Sequence, residues 1–65
     1  MNHDFHMKRL EESLSYIQRA HKQTARGMEE ARIEPTMAMK RLETILCCLE
    51  EASEILEEQL DQLGD

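Results

Sequence analysis

Sixty-five residues make one small domain at most, and 14 acidic against 8 basic residues give a net charge of −6. A core of that size is marginal without staples or a further surface to pack on, and two adjacent cysteines cannot build a disulfide framework. Helix formers dominate while glycine, proline and aromatic residues are scarce, which excludes an ordinary β architecture. The longest purely apolar run, Ile45 to Leu49, is too short for a membrane span or a secretory core, so a cytoplasmic chain with reduced thiols is expected.

At the start of the chain, Met1-Asn2-His3 could chelate Cu(II) or Ni(II) through the amine, backbone and imidazole, with His6 one turn on. Such termini arise by chance, and no metal or cofactor is expected. Asp4 is a candidate N-cap for a first helix over about 4–33. Along it, Met7, Leu10, Leu14, Ile17, His21, Thr24, Met28 and Ala31 recur at alternating steps of three and four. Pro35 disfavours the helical region for Glu34, so a turn is expected over about 34–36, with Glu34 or Thr36 capping a second helix. The pattern restarts as Met39, Leu42, Leu46, Leu49, Ser53, Leu56, Leu60 and Leu63, which places that helix over about 37–63, with Gly64 as its stop.

A connection this short makes the helices antiparallel neighbours. If the two apolar series face each other, opposed residues have numbers that sum to 70, as in Met28 with Leu42 and His21 with Leu49. The expected fold is all-α, a single antiparallel two-helix hairpin over 1–65 with coiled-coil spacing. Its expected core is Leu10, Leu14, Ile17, His21, Met28, Leu42, Leu46, Leu49, Leu56 and Leu60. His21 would be a polar core residue that fixes register.

Beside that series runs a second track of small and branched residues: Tyr16, Ala20, Gly27, Ala38, Ile45, Cys48, Ala52 and Ile55. With the first series buried, this track would be a flank open to a partner helix or a second copy, completing a four-helix bundle or helical complex. Cys48 would be a small hydrophobe on that flank and Cys47 a solvent-facing thiol, because one helical step of about 100° separates them.

Charge is segregated: residues 1–41 hold all 8 bases and 6 acids, and residues 42–65 hold 8 acids and no base. Arg19, Lys22 and Arg26 form a basic stripe that could touch phosphates, but the same register brings Glu50, Glu51 and Glu54 near it. Neutralisation within the hairpin is therefore expected, rather than nucleic-acid binding. No nucleophile–base pair, phosphate loop or paired-carboxylate pocket appears, so no catalytic residues are expected.

Two helices, a short turn and a second helix carrying "RLETIL" resemble the small helical-hairpin co-chaperones of type III secretion. The resemblance spans essentially the whole chain and implies a cytoplasmic adaptor that joins a larger helical chaperone to keep a needle subunit unpolymerised. The layered small-against-large series also resembles the Rop family of dimeric RNA-binding hairpins, which would imply a role for Arg19, Lys22 and Arg26. The expected function is a non-enzymatic interaction module, with a protein partner or a second copy and without a membrane.

Overall fold

The structure, a computed structural model, describes residues 3–64 and consists of two long helices folded back on each other. Helix α1 spans His3–Ile33 and helix α2 spans Pro35–Gly64. At about 1.5 Å per residue each helix runs the full length of a rod whose Cα envelope is 50 × 16 × 11 Å.

The link is a single residue, Glu34, placed by proline chemistry. Pro35 restricts the residue before it, yet sits well at the first position of α2, where its missing N–H would have no intrahelical partner. The Glu34 N–H closes the last turn of α1 on the Glu30 carbonyl at 2.6 Å, and its own carbonyl accepts the Met37 N–H at 3.1 Å. Glu34 therefore caps the second helix, as one of the two predicted candidates; Thr36 lies inside it. Asp4 falls in the first turn of α1 rather than at its cap, where its charge still suits the helix dipole. Gly64 is the last residue of α2 and has no positive φ, so it does not close the helix in a left-handed turn.

The two helices meet along the small-residue track, not along the leucine series. Ser13, Ala20, Ala52, Ile55 and Gln59 are buried, each at most 4% exposed. Tyr16, Gln23, Gly27, Glu30, Ala38, Arg41, Ile45 and Cys48 are half-buried between them. These positions also recur at steps of three and four, so each helix carries two adjacent stripes of coiled-coil spacing. The predicted core is corrected accordingly: Leu10, Leu14, Ile17, His21, Met28, Leu42, Leu46, Leu49, Leu56 and Leu60 are all exposed. The contacts across the seam follow this track: Ser13 bonds the Ala52 carbonyl and His6 bonds Gln59.

Polar cross-links explain why this track was chosen. Ser13 donates its hydroxyl to the Ala52 carbonyl at 3.3 Å, possible only where two backbones approach closely. At the open end of the hairpin, the His6 imidazole Nδ1 bonds Gln59 Oε1, while Gln59 Nε2 is buried without a hydrogen-bond partner among the described residues. Near the turn, Arg41 clamps both oxygens of Glu30, with Nη2 at 2.7 Å from Oε2, and also bonds Gln23. Small side chains thus bring the helices together, and imidazole, guanidinium and amide-oxygen groups at the seam edges find partners across it.

Candidate interaction face

The leucine series keeps its periodicity but changes its role. Each of its members up to Leu60 lies one residue after a seam position, in α1 and in α2 alike. One step turns a side chain by about 100° about the helix axis. Because the helices are antiparallel, that step turns both series toward the same side of the hairpin. The result is a single apolar face two helices wide. Near the turn its two halves meet in a shallow groove lined by residues of both helices, among them Met28 and Ala31 of α1 and Met39 and Leu42 of α2.

Twelve large apolar side chains of this face remain between 38% and 75% exposed, from Met7 and Leu10 at the open end to Met28 and Met39 near the turn. A scattered exposed leucine needs no explanation, but this stripe runs along both described helices and is therefore the candidate interaction surface. Polar members interrupt it little. Thr24 ties its hydroxyl to the Ala20 carbonyl at 2.7 Å, and His21 shares a shallow depression with Ile17, Gln18 and Lys22. His21 is thus an exposed member of the face rather than a polar core residue.

The residues predicted as a partner surface are instead the seam itself. Ala20, Ala52 and Ile55 are buried between the helices, and Tyr16, Gly27, Ala38, Ile45 and Cys48 are half-buried there, with Gly27, Ala38 and Ile45 still lining the groove near the turn. The reason is competition between neighbouring stripes. A hairpin has one seam, and small residues allow the closer approach within the chain, while the bulkier leucines remain for a second layer. The missed signal is polar matching: His6 with Gln59, and Arg41 with Gln23 and Glu30, sit at corresponding seam positions of the two helices.

Electrostatics at the seam edge are local. The Arg41 guanidinium holds the Glu30 carboxyl below its ordinary value, first through its hydrogen bonds and then through charge, with a smaller contribution from Arg26. Glu58 and Glu12 in turn keep Arg9 protonated beyond the ordinary arginine range, with Arg9 bonding Glu58 of α2 at 2.6 Å. Arg19 lies over the Tyr16 ring, 5.2 Å from its centre. Among the described residues, no ion pair within 4.0 Å joins Arg19, Lys22 or Arg26 to Glu50, Glu51 or Glu54. The predicted neutralisation by contact is not formed, because the helices meet through a different stripe.

Both cysteines are free, Cys47 exposed and Cys48 half-buried in the seam. Among the described residues, no group of three or more His, Cys, Asp or Glu side chains could hold a metal ion, and no helix is long and apolar enough to cross a membrane. The metal-binding possibility at Met1-Asn2-His3 lies outside the residues whose side chains are described. Comparison with protein-family models, curated proteins and solved structures gives no match.

Proposed function

We propose that this protein is a non-enzymatic helical interaction module, of the small chaperone or adaptor class, that works by burying its leucine face against other helices. The observation that carries the reading is the exposure of a continuous apolar face on a hairpin whose own seam, among the described residues, fully buries only Ala20, Ala52 and Ile55 of the apolar ones. Three buried apolar side chains give a small hydrophobic contribution, on the order of a few kcal/mol at about 25 cal/mol per Å2. A chain of this kind gains most of its stability when the face is covered, so folding and partner binding are coupled. Helix-on-face docking also suits an adaptor that masks a partner surface prone to self-association, because leucine anchors at steps of three and four match the exposed face of another amphipathic helix.

Photo-crosslinking in the native cell tests this directly. A photoreactive phenylalanine analogue replacing Leu46, on the face, should give discrete protein adducts. The same analogue replacing Glu54, exposed and off the face, should not. Equal adduct patterns from both positions would defeat the assignment of the face.

A further inference from the structure

We infer that in the isolated chain the leucine face is covered by a second copy, arranged with both turns at the same end, so that α1 of each copy lies against α2 of the other. This rests on the leucine face being the docking surface, and it names what occupies it.

Area comes first. Twelve face side chains, each 38% to 75% exposed, present on the order of 1,000 Å2, against about 800 Å2 per partner in a standard stable interface. The face is self-complementary in outline, since it is flat, two helices wide and as long as the molecule. Covering it with its own copy would remove the whole stripe from water.

Charge then decides between the two ways a two-fold axis can bring the faces together. Helix α1 carries six bases and five acids, a net of +1, whereas α2 carries two bases and seven acids, a net of −5. An axis perpendicular to the helices would lay α1 on α1 and α2 on α2, placing the two strongly acidic helices side by side. The outer border of the face on α2 is Glu43, Glu50 and Glu57, and this arrangement would set that border against itself. An axis parallel to the helices instead alternates α1 and α2 around the bundle and leaves the acidic pair on the diagonal. One like-charged border pair then remains, Glu11 level with Glu57 of the other copy. Juxtaposed like charges disfavour an arrangement more reliably than rim salt bridges favour one.

The test uses the full chain with Thr36→Cys at the exposed turn in a Cys47→Ser, Cys48→Ala background, combining sedimentation equilibrium with spin-label distances. The expected result is a dimer whose two turn labels lie well under half of the 50 Å molecular length apart. Leu14→Glu with Leu46→Glu should weaken dimerisation roughly a hundredfold or more, because two charges per copy would be buried. A dimer with labels near 50 Å apart overturns the arrangement, as does a dimer that the double substitution leaves intact. A monomeric chain that still gives face-specific adducts to another protein in cells overturns the second copy while leaving the interaction module standing. A monomer without such adducts sinks both.

Discussion

Ser13→Leu separates the two possible seams within the chain. Ser13 is 1% exposed, and its hydroxyl donates to the Ala52 carbonyl at 3.3 Å. A leucine there adds bulk where the two backbones are close, and it removes the bond. Overpacking costs typically about 1–3 kcal/mol and the lost hydrogen bond about 1 kcal/mol, so a destabilisation of roughly 2–4 kcal/mol is expected. For a domain this small that corresponds to a Tm drop of roughly 10–20 °C. Thermal unfolding followed by circular dichroism measures it, with all proteins at one chain concentration because self-association also shifts Tm. Ser15→Leu is the control: Ser15 is exposed, leucine is the better helix former, and the change should stay within about 0.5 kcal/mol. If the leucine series were the inner seam, Ser13 would be a flank position and Ser13→Leu would behave like Ser15→Leu. Equal melting of the two variants refutes the seam described here.

The same geometry sets other expectations. Gly27→Ala should stabilise by about 0.5–1 kcal/mol, since glycine is costly inside a helix and a Cβ there would stand 3.6 Å from Arg41 Cδ, an ordinary contact; a lower Tm would show that the helices have no such room. Glu30 is held below its ordinary value of 4.5 by Arg41, so its contribution is complete above that value and is lost as pH falls through the lower folded-state value. Glu30→Gln should therefore melt below the parent at pH 7, with the gap closing as the carboxylate protonates on acidification; a gap that stays constant removes the ion pair from the explanation. A thiol reagent should modify exposed Cys47 several-fold faster than half-buried Cys48 in the native state and at similar rates in urea, as read by mass spectrometry of the single-cysteine variants. Equal native rates would mean that Cys48 is not in the seam.

The amino-acid sequence by itself determined the helices and the hairpin. Helix formers run without a breaker from the start to Pro35, whose ring excludes Glu34 from the helix yet starts α2 without loss of a hydrogen bond. With a one-residue link, the helices have little choice but to pack antiparallel. Periodicity also located both stripes residue by residue, because 3.6 residues per turn fixes which side chains share a side. What periodicity cannot state is which of two adjacent stripes looks inward, since both recur at the same steps and differ in direction by only about 100°. That choice belongs to tertiary structure. It depends on how closely two backbones can approach, which Ala20 and Ala52 permit, and on whether polar groups at the seam edge find partners, as Ser13, Arg41 and Glu30 do. Leu14 and Leu46 satisfy neither condition, and both stay on the surface at about half exposure, 52% and 49%. The leucine series was legible in the sequence as an apolar stripe, and only the fold decided that it faces outward.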